Sequence, residues 1–311
     1  MCMAKDHMQA IRFHEYGGPD ALVLEQVPRP HPQADQVRLR MIAAGVNPFD
    51  WVARGGLYKE FMPLPLPWIP GVEGAGIVDH VGHDVTTLEP GQSVYGVFSN
   101  SYAEYAVAPA SDVAPKPAHL TFEEAASAPM GALTAWGAVI DAAKVQAGQR
   151  VLVHGAAGGV GLYAVQLAKW KGAHVIGTAS AANADFVRSL GAEDVIDYNA
   201  TPFEKAVKDV DVVVDTVGSD VIERSWPVLR PGGVLVTVAA RLTPEAGQAH
   251  GVRATGAGRA SAANLQQISE LFESKQLRPV VGPIFALPEA SKAHLLSQSR
   301  HGRGRILLLT A

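Results

Sequence analysis

Cysteine is almost missing from this chain: Cys2 is the single one in 311 residues. One thiol cannot close an internal disulfide, nor by itself supply a thiolate zinc site, so a disulfide-stapled scaffold and a cysteine-rich structural metal centre are excluded. The cytosol is the expected compartment. Charge is also sparse, at 18% of residues with a net of −4 and both signs scattered, which leaves no electrostatic footprint for nucleic acid. No apolar run approaches the roughly 20 residues of a membrane span. The opening MCMAKDHMQA carries no apolar h-region, so no signal peptide is expected. Internal repeats and low-complexity linkers are lacking too.

What the chain has in quantity is apolar residues, 48%, and glycine, 31 of them. That is enough to build substantial cores, and the length suggests about two domains. The first third reads as strands and turns. QAIRFHEYG begins the first recognisable strand; ALVLEQVPRP, QVRLRMIAAG, GAGIVDHVG, QSVYGVF and YAEYAVAP follow, punctuated by GGPD, EPGQ and PKPAHL. At Thr121 the rhythm changes. TFEEAASAP has a Thr cap and glutamates in the first turn of a helix. Short Val-rich strands (RVLVH, HVIGTAS, DVVVDTVG, VLVTVAA) then alternate with helical patterns, as buried parallel strands in βαβ units do. Past Gly256, ANLQQISELFESKQL, PVVGPIFAL, PEASKAHLLSQS and RILLL are too few for a third domain and are expected to complete the first. The expected fold is α/β: a β-rich domain from residues 1–120 and 257–311, with a doubly wound parallel-sheet domain at 121–256.

Between strand RVLVH and helix GLYAVQLAKW lies GAAGGVG, and each glycine in a helix start costs about 1 kcal/mol against alanine. Such a turn is where dinucleotide-binding folds seat a pyrophosphate, because bare backbone approaches the phosphates and the helix N-terminus supplies N–H groups. Ala156 stands at the first glycine position of G-x-G-x-x-G, Gly158 and Gly161 at the second and third, with Gly159 and Val160 between them. NAD sites place a carboxylate about 20 residues on to hold the ribose 2′-hydroxyl. Here Thr178-Ala179-Ser180 occupy that place, and no carboxylate comes before Asp185. The repulsion that rejects a 2′-phosphate is missing, and Ser180 and Asn183 can donate to one. NADPH is therefore the expected cofactor, with NADH as the alternative; Ser180 can equally serve as a helix N-cap.

In order and spacing, AAGVNPFDWVARGG (43–56), PWIPGVEGAGIVDHVG (67–82), GALTAW (131–136), the glycine turn (151–180), LGAEDVIDY (190–198), DTVG (215–218) and HGRGRILLL (301–309) are similar to the medium-chain dehydrogenase/reductase superfamily, specifically its zinc-independent quinone oxidoreductase branch. The resemblance implies a GroES-like catalytic domain with an inserted Rossmann domain, and a homodimer joined through the last Rossmann strand, near residues 250–255. In the branch's zinc-binding relatives a cysteine and a histidine hold catalytic metal; Asn47 and Val72 stand at those positions, so no catalytic metal is expected. His80 and His83 show no ligand-like spacing.

Without a Lewis acid, an ordinary ketone loses its main oxyanion stabilisation. Quinones and enones spread the arriving charge through conjugation, so the protein's part becomes positioning the dihydronicotinamide. By the resemblance, Asn47 lies near the nicotinamide ribose or the substrate oxygen, where its amide can donate; it can also be a plain Asn-Pro turn former. Tyr58 matches a cleft tyrosine able to donate to a quinone oxygen, or is an ordinary half-buried one. Asp50 and Arg54 can pair at helical spacing. Thr134 is implied near the nicotinamide end, Tyr198 beside the adenosine phosphate, Val217 against adenine, and Val238, Ala239 and Ala240 under the nicotinamide. Asp215 can cap a turn. Arg303 resembles a basic cofactor-facing residue, with a solvated charge run including Arg300 as the bland alternative. The function implied is reduction of quinones. The alternatives are reduction of 2-alkenals or other enones, and an NADPH-binding structural or regulatory protein without turnover; an alcohol dehydrogenase is disfavoured by the missing ligands.

Overall fold

Two hydrophobic rhythms divide the chain. Strand Gln36–Gly45 alternates buried and less buried side chains, whereas Arg150–His154 is buried at every residue after the first. The computed structural model describes residues 6–258, 261–300 and 302–310; Cys2, most of the opening segment and His301 of the C-terminal motif lie outside the described residues. The strands are β1 (His7–Arg12), β2 (Val23–Pro28), β3 (Gln36–Gly45), β4 (Glu73–Val81), β5 (Ser93–Val97), β6 (Tyr105–Pro109), β7 (Val113–Pro115), β8 (Arg150–His154), β9 (His174–Ala179), β10 (Asp194–Asp197), β11 (Val210–Asp215), β12 (Leu229–Thr237), β13 (Arg253–Gly256), β14 (Val281–Ala286) and β15 (Arg305–Leu309). Two compact units contain them. One comprises residues 1–130, 265–273 and 279–311; the other comprises 131–264 and 274–278.

In the first unit, β1 and β2 form a hairpin pair, and a sheet runs β14-β15-β3-β4-β5-β7 with β6 also on β3. The C-terminal strand β15 lies antiparallel to β3, Leu307 opposite Gly45. Inward residues of β3 (Val37, Leu39, Met41) meet Val78, Val94 and Val113 in one apolar cluster. Helix α1 (Pro48–Arg54) follows β3 directly, and α2 (Phe122–Ala126) packs on β3 and β4. The α2 start is a reciprocal capping box: Glu124 N donates to Thr121 Oγ1, and Thr121 N donates to the Glu124 carboxylate.

The second unit is an all-parallel sheet in the order β10-β9-β8-β11-β12-β13. The first strand in sequence sits mid-sheet; the chain winds outward to one side and then crosses over to the other. This is the doubly wound 3-2-1-4-5-6 order, with its reversal between β8 and β11. The structure is thus α/β, with helices including α3 (Pro129–Trp136), α4 (Gly161–Trp170) and α5 (Ala184–Ser189). Leu152, Ile176, Val213 and Leu235 from four neighbouring strands share a core with Trp226. Deleting one such side chain to alanine costs about 2–5 kcal/mol. Strand β12 begins at Leu229, so RPGG is part of it rather than a turn before it; Val210 pairs with Leu229 ahead of a register shift.

His154 ends β8 and is fully buried. Ser225 Oγ donates to Val221 O at 2.6 Å, so it accepts the His154 Nε2–H at 3.1 Å, and Nδ1 is left as the acceptor for Thr178 Oγ1 at 3.2 Å. The ring is neutral. Burial pushes its pKa from 6.5 down to about 4, a shift worth on the order of 3 kcal/mol. A histidine held neutral stabilises the fold fully above the unfolded pKa and loses that contribution as pH falls from near 6.5 toward 4. Thermal melts across that interval should therefore fall less steeply for His154→Gln than for the native chain. Parallel curves would contradict this assignment.

Candidate active site

At the reversal point the chain leaves β8 through Gly155, whose φ of +67° suits a residue without Cβ. The turn thus pivots one residue ahead of the Ala156 position read from the motif. Ala156 is instead wholly buried, its N–H donating to Thr178 O at 3.0 Å. A Cβ on Gly161 would fall on Gly155 O, so this glycine lets α4 pack against the strand end, whereas one on Gly158 would meet only Gly155 O, at 3.2 Å. Helix α4 starts after Val160 with no side-chain cap. The N–H groups of Gly159, Val160 and Gly161 have no acceptor among the described residues. Orphan donors at a helix N-terminus, over a turn without side chains, fit a diphosphate.

Other predicted residues gather at the same carboxyl edge of this sheet. Ser180 follows β9; its Oγ accepts from Asn183 Nδ2 at 3.3 Å and makes no cap bond, so the N-cap alternative describes its position but not its side chain. Tyr198 follows β10, is about half exposed, and its N–H donates to Ala179 O at 3.3 Å. Arg188 pairs with Asp185 at 2.9 Å. Asp197, set beside Ala179 by strand register, accepts from the Asn199 N–H at 3.0 Å. Asp215 is fully buried and caps its turn: Oδ1 accepts from Val217 N at 2.9 Å and Gly218 N at 3.0 Å, while Oδ2 accepts from Thr237 Oγ1 at 2.7 Å. That turn holds Val217 outward, and Val238, Ala239 and Ala240 leave β12 next to it, Val238 N donating to Asp215 O. Thr134 lies half-buried on α3.

The remaining predicted residues belong to the first unit. Asn47 precedes α1 and is buried; its N–H donates to Asp50 Oδ2 at 2.8 Å, and its Nδ2 donates to Glu73 Oε1 at 2.8 Å. Glu73, fully buried, also accepts from Met130 N at 2.7 Å and faces Arg305 Nε at 3.0 Å. The amide nitrogen expected to donate to a ligand is therefore turned to a carboxylate. Asp50 and Arg54 form no ion pair with each other. Asp50 accepts from Tyr102 Oη and Gly71 N, while Arg54 donates to His294 Nδ1 at 2.9 Å and to Gly17 O. Burial pushes the Asp50 carboxyl up to about 7 against those hydrogen bonds, and pushes His294 down to about 3. Tyr58 is half-buried between Phe49 and Phe61, ring centroids 6.2 and 5.2 Å away. Arg303 is exposed before β15; it is Arg305, two residues on, that reaches inward. Glu73, Gly155, His294 and Arg305 were not singled out from the sequence. Among the described residues no group of three or more His, Cys, Asp or Glu side chains is placed to hold a metal ion.

Comparison with known proteins agrees with this arrangement. Residues 33–118 match the alcohol dehydrogenase GroES-like domain, and residues 190–308 match the family described as zinc-binding dehydrogenase. The chain is 33% identical to a quinone oxidoreductase of Sus scrofa, over 99% of this chain and 100% of that one. It belongs to the medium-chain dehydrogenase/reductase superfamily, in the quinone oxidoreductase branch. A solved quinone oxidoreductase from Coxiella burnetii superposes with a TM-score of 0.92 at 35% identity, covering 98% of this chain and 100% of that one. A 2-methylene-furan-3-one reductase of Solanum lycopersicum is 35% identical over 89% of this chain and 72% of its own length. The protein is an oxidoreductase acting on a small-molecule substrate, in a family that uses pyridine nucleotides.

The glycine turn separates folding from binding. Gly158→Ala should leave the melting temperature nearly unchanged yet weaken pyridine-nucleotide binding at least about tenfold, whereas Gly161→Ala should destabilise by about 1–3 kcal/mol. Calorimetric titration and thermal melts of both variants check this. Full nucleotide affinity in the Gly158 variant would remove the diphosphate from this turn.

Proposed function

We propose that this protein is an NADPH-dependent oxidoreductase that reduces quinones or related conjugated carbonyl acceptors by hydride transfer without zinc. The observation that carries the reading is at the two positions where zinc-binding relatives hold metal. Asn47 and Val72 stand there, so neither a thiolate nor an imidazole is supplied at either position. An uncharged amide and an aliphatic side chain make a poor zinc donor set.

When bound, reduced pyridine nucleotide supplies the hydride. The Gly155–Gly161 turn would hold its diphosphate, with Ala156, Gly158, Gly159, Val160 and Gly161 nearest. Ser180, Asn183 and Tyr198 would surround a 2′-phosphate, Val217 would pack on adenine, and Thr134, Val238, Ala239 and Ala240 would flank the rest; Arg303, in the first unit, is the basic candidate that the family motif adds. Tyr58 would donate a hydrogen bond to the acceptor's oxygen, and the apolar rings beside it suit a planar conjugated substrate. The tomato relative favours enones as the second acceptor class. A non-catalytic role is the reading left if NADPH binds tightly and no acceptor oxidises it. Strand β13 ends the sheet and pairs with β12 alone among the described residues, an edge that supports a homodimer joined there. No helix among the described residues is long and apolar enough to cross a membrane; the cytosol is the compartment we propose.

Replacing Ser180 by Asp tests the cofactor assignment, because a carboxylate there repels a 2′-phosphate and accepts from a 2′-hydroxyl. The KM for NADPH should rise by about tenfold or more while that for NADH holds or falls, since a contact to a charged group is worth about 1.5–3 kcal/mol. Equal effects on the two nucleotides would refute the NADPH preference.

A further inference from the structure

The contacts of Asn47 settle which end of its amide is used. A carboxylate accepts hydrogen bonds and cannot donate them, so the atom 2.8 Å from Glu73 Oε1 is Nδ2. Glu73 is itself fixed. Met130 N holds Oε2 at 2.7 Å, Arg305 Nε lies 3.0 Å from Oε1, and the Arg305 guanidinium also reaches Val46 O at 3.4 Å. Gly45 makes room for it, since a Cβ there would fall on the Glu73 carboxylate. The Asn47 main chain is held separately through its N–H to Asp50, and Asp50 N donates to the Asn47 carbonyl, so the Asn47 side chain makes no cap bond. No side-chain donor reaches Oδ1 among the described residues, and the Asp50 N–H at the helix start goes to the Asn47 carbonyl at 3.0 Å.

We infer that Glu73, charge-balanced by Arg305, is a positioning residue that locks the Asn47 amide with its oxygen as the ligand-facing group, so that Asn47 accepts a hydrogen bond from a hydroxyl and does not donate one to an oxyanion. This rests on the oxidoreductase reading above and narrows it. An acceptor at this point repels negative charge developing on a substrate oxygen, so the proton for that oxygen comes from another group. The hydroxyl is that of the acceptor once it has been reduced, as in a hydroquinone.

A double-mutant cycle tests the inference on the full chain. In Glu73→Gln the new amide can turn either end toward Asn47, and the lock is lost. Loss of one oriented hydrogen bond should lower kcat/KM for a simple quinone about tenfold. In the Asn47→Ala background the same change should cost nothing further, whereas a merely structural role for Glu73 costs as much in either background. Unchanged NADPH affinity by fluorescence titration with a lower kcat supports the acceptor's hydroxyl as the donor; a weaker affinity at unchanged kcat overturns it. Additive losses, or none in the Asn47-containing chain, overturn the inference. Neutron diffraction of the ligand-free native protein decides the orientation without turnover: deuterons on the Asn47 atom facing Glu73 support it, and an oxygen there overturns it. If the native protein neither binds a reduced nucleotide nor reduces any acceptor, the oxidoreductase reading falls and the neutron map alone judges the lock.

Discussion

Three backbone N–H groups without acceptors among the described residues, at Gly159, Val160 and Gly161, set the terms for the second unit. Leaving donors unpaired is costly unless water or a ligand completes them. The surrounding residues keep that place open rather than filling it. Gly155 turns the chain at a positive φ, Gly161 brings α4 hard against the strand end, and buried His154 ties the base of the turn to β9 and to the helix Asp220–Ser225. The doubly wound strand order then brings the ends of β9, β11 and β12 around the same point.

The first unit solves a different problem, that of burying several ionisable side chains together. Asp50, Glu73, Arg54 and His294 are buried and hydrogen-bonded, and buried Arg305 pairs with Glu73 by charge although its Nε and Nη2 make no hydrogen bond among the described residues. An unpaired buried charge costs several kcal/mol, whereas a fully bonded one holds its neighbours in a single geometry. Tyr102 links two parts of this network, donating to Asp50 and meeting His294 Nε2 at 3.2 Å. The Asn47 side chain is oriented by its hydrogen bond to Glu73.

Much of this was legible in the sequence for physical reasons. Val-rich strands alternating with helices leave few topologies besides a parallel sheet, and GAAGGVG marked the turn because glycine is costly there. The capping box at Thr121 was likewise written in residue types. Other features were hidden because they depend on contacts far apart in the chain. The partner of Asn47 lies 26 residues away, that of Arg54 lies 240 away, and the Arg305–Glu73 pair spans both ends of the first unit. Helical spacing pointed Asp50 at Arg54, yet tertiary partners claimed both. The glycine motif put the pivot at Ala156 because spacing conventions do not report φ, and Gly155 carries it.

We propose above all that a reduced pyridine nucleotide on the glycine turn passes its hydride to a conjugated acceptor with no metal taking part. The direct measurement is a single-turnover reaction of the NADPH-loaded protein with a simple quinone, after exhaustive chelation and metal analysis. Oxidation of the bound NADPH is expected at full amplitude and at a rate that added zinc does not change. Loss of the reaction on chelation, with recovery on adding zinc, would contradict it.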